Sequence, residues 1–310
     1  MNNEEIRLPD EAFYAPAPQS AGDAQKITRP SITYWADVKR RLLKNPVAMA
    51  GLAAILVIAL FAIFAPMLSP YTYEYQDLTQ LNLAPCREHP FGTDSLGRDL
   101  WVRVWVGARV SLAVGLFGAI IPSLIGIIIG GVSGYFGGVI DMIIMRLIDI
   151  LVCIPNLIYI ILIMLWIGSG PVALITAFAL TGWMGMARSV RGLVMQYKER
   201  EYVLASRALG ASSWSLIFDH LVPNTLGIVV VSITMAVPSS IFQEAYLSFV
   251  GLGIAPPIPS WGQLANSGIT FFRVYPHQLL IPAALISITM LSFNLFGDGL
   301  RDALDPRLRS

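Results

Sequence analysis

The sequence of 310 residues has few charges: Asp, Glu, Lys and Arg make up 13% of it, about half of the fraction usual for a globular domain. Hydrophobic residues reach 55%, and the mean hydropathy is +0.64. So few charges cannot solvate a folded surface, so lipid must be the solvent for much of the chain. This excludes a secreted disulfide scaffold, a nucleic-acid-binding domain and a disordered chain. A net charge of +1 also leaves no field that would attract polyanions.

Motifs for nucleotide and metal chemistry are missing as well. None of the four lysines follows a glycine, so the Walker A sequence GxxxxGK[ST] is absent and the chain is not expected to bind nucleotide on its own. The three histidines are scattered and no HExxH sequence occurs. Cys86 and Cys153 lie in different contexts and provide neither a disulfide framework nor a CxxC metal site.

What the sequence does have is long charge-free intervals. A helix needs ~20 apolar residues to cross ~30 Å of hydrocarbon. Six intervals are predicted to span a membrane: 46–68, 110–132, 143–167, 172–187, 226–250 and 278–297. The predicted fold class is therefore all-α, a polytopic membrane protein with six transmembrane helices and both termini on one side.

Lysine and arginine predict the orientation. With a cytoplasmic N-terminus, fifteen of them lie in cytoplasmic segments and four in external ones, which is the distribution that the positive-inside rule requires. Residues 1–45 then form a cytoplasmic tail, whose last part, 31–44, reads either as solvated chain or as an interfacial helix. The transmembrane domain takes up 46–310. Its extramembrane regions are predicted as an external loop, a cytoplasmic loop and an external Pro-rich loop: 69–109, 188–225 and 251–277.

Few ionisable residues fall inside the predicted spans. Glu244 lies in the outer half of the fifth span; at the bilayer centre a charge costs ~2.5–3.5 kcal/mol on insertion scales. It is expected to face water or a polar partner, and we hypothesise that it lines a translocation path. Arg146 and Asp149 are three residues apart and are expected to pair. Such sparse charge disfavours a proton- or sodium-coupled carrier, so the energy for transport is expected to come from elsewhere.

A serine motif in the second span allows a catalytic alternative. Gly131, Ser133 and Gly134 match the GxSG pattern of rhomboid-type intramembrane proteases, and His277 is a candidate base. The predicted topology separates Ser133 from His277 by roughly the membrane thickness, ~30 Å, which is too far for a nucleophile and its base. Close helix packing is the better interpretation of glycines that recur every four residues and so share one helix face. These are Gly126, Gly130, Gly134 and Gly138.

The cytoplasmic loop has the pattern of a helix, a glycine turn and a second helix. Glu199 and Glu201 suit a helix N-terminus, and Gly210 can take the left-handed C-terminal position. Ser212 is placed to cap a second short helix, which Pro223 is expected to end. Small side chains on an exposed helix let the groove of another protein come close. A docking element is thus the functional interpretation, and a plain soluble cap is the alternative.

This loop resembles the EAA loop of ABC-transporter membrane subunits, the helix that docks into the ATPase subunit. The resemblance rests on Ala205, Ser206, Gly210 and Pro223, while Leu204 stands where that motif has a glutamate. Three further segments resemble the C-type permease subunit of dipeptide/oligopeptide (peptide/nickel) importers. They read FGTDSLGRD at 91–99, LSFVGLG at 247–253 and GDGLRD at 297–302, the last followed by DPR.

The resemblance covers about residues 35–310 and implies a type I ABC-importer-like transmembrane domain in the bacterial cytoplasmic membrane. It implies a second permease subunit, two ATPase subunits that bind ATP and Mg²⁺, and an external solute-binding protein. The chain itself would be no enzyme and hold no cofactor or metal. The implied docking residues are Glu201, Tyr202, Ala205, Ser206, Ala208, Leu209, Gly210 and Ala211. The turn with Gly92, Asp94, Gly97 and Arg98 would either lie near the binding protein or cap the second span.

The implied substrate is a di- or oligopeptide, because that is the commoner cargo of this branch. Nickel or a metallophore is the alternative within the same architecture, since selection is largely made by the binding protein. An ion-coupled secondary carrier is the remaining alternative.

Overall fold

The computed structural model describes residues 34–305, which are helical and contain no β-strand. The predicted N-terminal tail, up to residue 33, and residues 306–310 lie outside this range. The helices, in chain order, are α1 (Tyr34–Lys44), α2 (Pro46–Phe64), α3 (Leu100–Phe136), α4 (Gly138–Val152), α5 (Asn156–Ile167), α6 (Pro171–Thr181), α7 (Trp183–Tyr197), α8 (Glu201–Ala208), α9 (Ser213–Ser215), α10 (Val222–Phe249), α11 (Trp261–Ile269) and α12 (His277–Leu304). A π-helical turn, Leu216–Leu221, joins α9 to α10.

The helices supply five candidate membrane spans, or six, as predicted, if the bent pair α4 and α5 counts as one span. Five stretches are long and apolar enough to cross a bilayer: Pro46–Leu68, Leu100–Phe136, Pro171–Tyr197, Ser213–Phe249 and His277–Leu304. The sixth is the pair α4 and α5, which meet at 85°. The expectation of one continuous span over 143–167 was therefore wrong. Pro155 explains the break, because proline lacks an N–H, clashes with the preceding turn and disfavours helical geometry at the residue before it.

The second span is longer than the charge-free interval that predicted it. Helix α3 begins ten residues earlier, after Asp99 accepts a hydrogen bond from the N–H of Trp101 at 2.7 Å and caps the helix. Arg103 is fully buried in the protein, and Arg109 donates to the carbonyl groups that end α2. Because both arginines have partners, they do not mark the end of the span. The loop that was predicted to be external is accordingly 69–99 and not 69–109.

The predicted cytoplasmic loop 188–225 is also shorter than expected. Helix α7 continues to Tyr197, and the helix that starts at Ser213 passes Pro223 without a break. Pro223 sits in the first turn of α10, directly after the π-helical turn. The π-helical turn before it widens the backbone at the point where the proline ring would clash. The expectation that Pro223 ends the helix was therefore wrong.

Helix α3 forms the centre of the bundle, and glycines bring α7 close to it. A Cβ atom added at Gly130 would lie 2.4 Å from the carbonyl oxygen of Ala187, and additions at Gly126 and Gly134 would meet α7 at 2.6 and 2.7 Å. The predicted close packing is confirmed for these three glycines. Gly138 begins α4 and has nothing near it, so it does not belong to the interface.

Helices α1, α2 and α12 pack along one side of this core. Val38 of α1 contacts the end of α12 in a small apolar cluster with Ala303 and Leu304. The helix predicted over 31–44 is thus present from Tyr34 onward, and its first three residues lie outside the described range. Its interfacial position stays a prediction.

Candidate functional site

The turn after α8 has the local structure that its sequence predicts. Gly210 has φ = +89°, a conformation in which an L side chain is strained. The Ser212 hydroxyl oxygen then accepts a hydrogen bond from the N–H of Ser215 at 3.2 Å and caps the following helix. Both predictions are confirmed. The turn at Gly210 thereby links α8 to Ser213, where the helical stretch that continues into α10 begins.

An apolar surface is exposed at this turn. Leu209 is 89% exposed, and Trp214 of the second helix is 59% exposed. Of the eight residues predicted to dock a partner, Ser206 and Ala211 are half-buried. The other six are exposed and form what we call the α8 face: Glu201, Tyr202, Ala205, Ala208, Leu209 and Gly210. That these residues dock a partner stays a prediction.

The opposite side of α8 is fixed to the bundle. Val203 is buried and packs in a cluster with two valines of α7 and two leucines of the π-helical turn: Val190, Val194, Leu216 and Leu221. The Asn224 side chain also donates to the Tyr202 hydroxyl at 3.2 Å. A displacement of α8 must therefore move α7 and the start of α10 with it, because close-packed side chains transmit motion.

Asp141 ties three helices together at the same end of the molecule. Its carboxylate accepts from the Ser133 hydroxyl at 2.6 Å and from the Arg191 guanidinium through two hydrogen bonds, one of 2.5 Å. Ser133 is buried and committed to this carboxylate. His277 lies near Gly92, beyond the other end of α3, which makes the distance from Ser133 about 50 Å along a helix rising 1.5 Å per residue. The predicted separation of the two is confirmed.

A second carboxylate on α4 has a different partner from the expected one. Asp149 accepts from Arg188 of α7 at 2.6 Å, so its predicted pairing with Arg146 was wrong. The reason is that α7 runs beside α4, and a neighbouring helix offered a partner that sequence spacing could not reveal.

The turn before α3 is built around Asp94. Its carboxylate accepts hydrogen bonds from the N–H of Leu96 at 2.9 Å, the N–H of Arg98 at 3.0 Å and the Arg98 side chain at 2.7 Å. Gly92 and Gly97 have φ values of +77° and +69°, as the sharp reversals need. All four predicted residues of this turn are buried, and Leu96 is its exposed member. Their proximity to a binding protein stays a prediction.

Asp99 closes this turn and starts α3. The carboxylate is buried, and burial raises its pKa, against the lowering effects of the Trp101 N–H and of His89. The ring of His89 lies 3.6 Å away at its Nδ1 atom, while its Nε2 atom is 2.8 Å from the Gln80 side-chain oxygen. These contacts join the external loop to the first turn of α3.

Glu244 is fully buried at a junction of α3, α10 and the segment before α11. Its two carboxylate oxygens accept from the hydroxyls of Ser111 at 2.8 Å and Ser248 at 2.9 Å. Those hydroxyl oxygens in turn accept from the backbone N–H groups of Trp261 and Ile254, each at 3.2 Å. The expectation of polar partners is confirmed. Glu244 lines neither of the two cavities described next, and its place on a translocation path stays a prediction.

Two cavities open on one face of α10. One of about 400 Å³ lies between α10 and helices α3, α5 and α6, and we call it the α10 cavity. Another of about 930 Å³ lies between the first half of α10, α1 and α12. Residues three or four apart on a helix share a face. The α10 residues of both cavities follow that spacing: Ile228, Ser232, Met235, Ser239, Gln243 and Tyr246.

Sequence reasoning missed this face because it carries no charge. The available signal was the recurrence of polar groups at Ser239, Gln243 and Tyr246, at steps of four and three residues. Asn156 reaches the same cavity from the first turn of α5.

Comparison with known proteins identifies relatives over almost the whole chain. Residues 107–310 match the family model of the binding-protein-dependent transport system inner membrane component, and residues 33–85 match that of the N-terminal TM domain of oligopeptide transport permease C. The oligopeptide transport system permease protein OppC of Bacillus subtilis (strain 168) is 49% identical, over 96% of this chain and 97% of the relative.

Two further relatives carry other names. The dipeptide transport system permease protein DppC of Bacillus subtilis (strain 168) is 49% identical over 98% of this chain and 95% of its own length. The glutathione transport system permease protein GsiD of Salmonella paratyphi A is 43% identical over 89% of this chain and 92% of its own length.

Proposed function

Because the chain belongs to the family of binding-protein-dependent transport system inner membrane components, we propose that it is the permease subunit of an ATP-driven importer of di- or oligopeptides. The observation that carries this proposal is the exposed α8 face on a bundle of six spans, in a chain with peptide-transport relatives over nearly its full length. Such a subunit forms part of the translocation path and hydrolyses no ATP itself.

The α8 end of the bundle is cytoplasmic in this proposal. Among the described residues outside α4, that end carries ten basic side chains: Lys39, Arg40, Arg41, Lys44, Arg188, Arg191, Lys198, Arg200, Arg207 and Arg301; Arg146 lies within α4 and is counted at neither end. The opposite end carries five: Arg87, Arg98, Arg103, Arg109 and Arg273. Since basic residues favour the cytoplasmic side, both termini are inside and the 69–99 loop is outside.

The partners follow from the two exposed ends. An ATPase subunit receives the α8 face in a groove, with a second ATPase subunit on a companion permease, and ATP and Mg²⁺ bind in those subunits. On the outer side a solute-binding protein delivers the peptide near the turn at Leu96. The external position of this turn and the cytoplasmic position of α8 put cargo delivery and energy input at opposite ends.

Coupling between the ends uses the rigid contacts of α8. Movement of the ATPase subunits on ATP binding displaces α8, and the packing of Val203 passes this displacement to α7 and α10. Helix α7 is in backbone contact with α3 along Gly126, Gly130 and Gly134, which we call the glycine seam. The bundle then rotates as one body between inward-facing and outward-facing states, each favoured by one nucleotide state of the partner.

Uptake into proteoliposomes tests the function. The full complex with its binding protein should accumulate a labelled tripeptide only when ATP and Mg²⁺ reach the ATPase side, and a protonophore should leave uptake unchanged. Accumulation without ATP that collapses on addition of the protonophore would establish an ion-coupled carrier instead. Accumulation of nickel but of no peptide would favour the metal-importing alternative.

The glycine turn gives a test of docking. Gly210→Ala strains the φ of +89° and tilts the α8 face, although nothing lies within 4 Å of the added Cβ atom. We expect the complex to insert into the membrane. Loaded binding protein should no longer stimulate its ATP hydrolysis, and the complex should lose most of its peptide uptake. Gly192→Ala is the matched control, because Gly192 lies in α7 with ordinary helical φ and equally open surroundings. Normal coupled transport by Gly210→Ala would refute the docking role.

A further inference from the structure

The α10 cavity presents uncharged hydrogen-bonding groups that have no partner. Within residues 34–305 the side-chain amides of Asn156 and Gln243 make no hydrogen bond. Both line the same cavity of about 400 Å³, together with the exposed ring of Tyr246. An amide offers a donor and an acceptor side by side, which are the groups that the peptide main chain also carries.

Hydroxyl groups on the other walls add acceptors. Ser123 of α3 and Thr181 of α6 each donate to a carbonyl of their own helix, at 2.6 and 2.9 Å, so the lone pairs of their oxygens remain available to the cavity. No charged side chain lines this cavity within the described part of the chain. Its walls therefore bind polar groups without selecting for the charge of the ligand.

The break between α4 and α5 indicates that this region is not covered by lipid. The residues at the break are exposed; the carbonyls of Ile150 and Leu151 accept from the N–H groups of Cys153 and Ile154 in the turn, whereas the N–H groups of Asn156 and Leu157 have no hydrogen-bond partner among residues 34–305. Irregular backbone at membrane depth is tolerated only where it is buried in protein or borders water. Asn156 is the first residue after this break, so its cavity opens towards water or a companion subunit.

We propose that the α10 cavity is a contact site for the main chain of the transported peptide. Asn156 and Gln243 hydrogen-bond peptide groups in passing, and the uncharged walls let acidic, neutral and basic side chains through alike. This inference rests on the proposed function and adds to it the class of contact, main chain and not side chain. Packing of a companion helix on the α10 face is the competing occupant.

Introduced charge tests the proposal. In proteoliposomes containing the full complex and its binding protein, Gln243→Lys should lower uptake of Ala-Lys-Ala relative to Ala-Glu-Ala by about tenfold compared with wild type, and Gln243→Glu should shift this ratio in the opposite direction by a similar factor. Ala-Ala-Ala should fall between them. Normalising to wild type removes the selectivity of the binding protein.

Matched controls separate charge from damage. Gln196 is an exposed glutamine of α7 that lines neither cavity, so Gln196→Lys and Gln196→Glu should leave the ratio within about twofold of wild type. An equal loss of all three peptides in both Gln243 variants would overturn the main-chain site while peptide import itself stood. If wild type imported none of the three peptides, the proposed function would fail instead.

Accessibility provides a second measurement that does not depend on uptake. In a background of Cys86→Ser and Cys153→Ser, Gln243→Cys should react with a water-soluble methanethiosulfonate in the assembled complex. Ala-Ala-Ala with binding protein and ATP should slow this reaction at least threefold. A thiol that stays unreactive in the complex, with or without peptide, would show that a companion subunit covers the face and would overturn the proposal.

Discussion

Replacement of Glu244 by alanine should destabilise the subunit strongly, whereas replacement by glutamine should not. The carboxylate holds the hydroxyls of Ser111 and Ser248, which in turn hold two backbone N–H groups of the 254–261 segment. Alanine removes both acceptors from a fully buried position. Glutamine keeps one oxygen and offers an amide, to which a serine hydroxyl can turn its lone pair.

The magnitude follows from two hydrogen bonds and a void. The bond to Ser111 joins α10 to α3, and the bond to Ser248 lies within α10; taking for both the about 0.6–1.7 kcal/mol of a side-chain hydrogen bond between membrane helices gives about 1–3 kcal/mol. The unfilled space left by the deleted atoms adds roughly 1 kcal/mol. Glu244→Ala should then cost about 2–4 kcal/mol, and Glu244→Gln about 0.6 kcal/mol for one imperfect bond.

Thermal unfolding of the purified complex in detergent measures this difference. We expect the midpoint of Glu244→Ala to fall by about 5–15 °C and that of Glu244→Gln by no more than about 3 °C. Ser287→Ala is the control, because the Ser287 hydroxyl donates only to the Ala283 carbonyl of its own helix. An alanine variant as stable as wild type would refute the reasoning. Unchanged transport and an unchanged peptide preference in Glu244→Gln would refute its predicted position on the translocation path.

Two further predictions concern the packing of α7. Gly130→Ala should lower the unfolding midpoint, because its Cβ atom would come within 2.4 Å of the Ala187 carbonyl. The control Gly131→Ala meets only methyl groups at 3.4 Å and should leave the midpoint unchanged or higher. Equal effects of the two substitutions would contradict the glycine seam. Arg191→Met should cost about 1 kcal/mol, a modest value because the ion pair with Asp141 is partly exposed, and Arg191→Lys should recover only part of it because lysine lacks the planar fork. A full recovery by lysine, read in the same unfolding assay, would show that geometry at Asp141 does not matter.

The sequence located the long apolar helices because bilayer thickness is a constraint on composition along the chain. It misplaced their ends where charges have partners, as at Arg103 and Arg109, since pairing depends on contacts between distant segments. Proline was ambiguous for a related reason. Pro155 breaks a span, while Pro238 lies inside α10 and Pro223 follows a π-helical turn. Neighbouring helices and local backbone adjustments decide which outcome occurs.

The candidate site also has local features that were predictable from the sequence and long-range contacts that were not. The positive φ of Gly210 and the cap at Ser212 were predictable, because both depend on residues a few positions away. The surroundings of Glu244 were not, because Ser111 is 133 residues distant along the chain. Gln243 and Asn156 were not predicted, because only charged residues in the spans were considered. Uncharged amide groups also require hydrogen-bond partners.

The length of α3 determines how far a small rotation displaces the ends of the bundle. With 37 residues it is about 55 Å long, and its backbone contact with α7 leaves no soft layer of side chains between the two helices. Helices α3 and α7 therefore move together as one rigid body. A tilt of about 5° about one end carries the other through about 5 Å, close to the pitch of one helical turn. A modest rotation driven by the proposed ATPase subunits is therefore enough to open one end of the translocation path while closing the other.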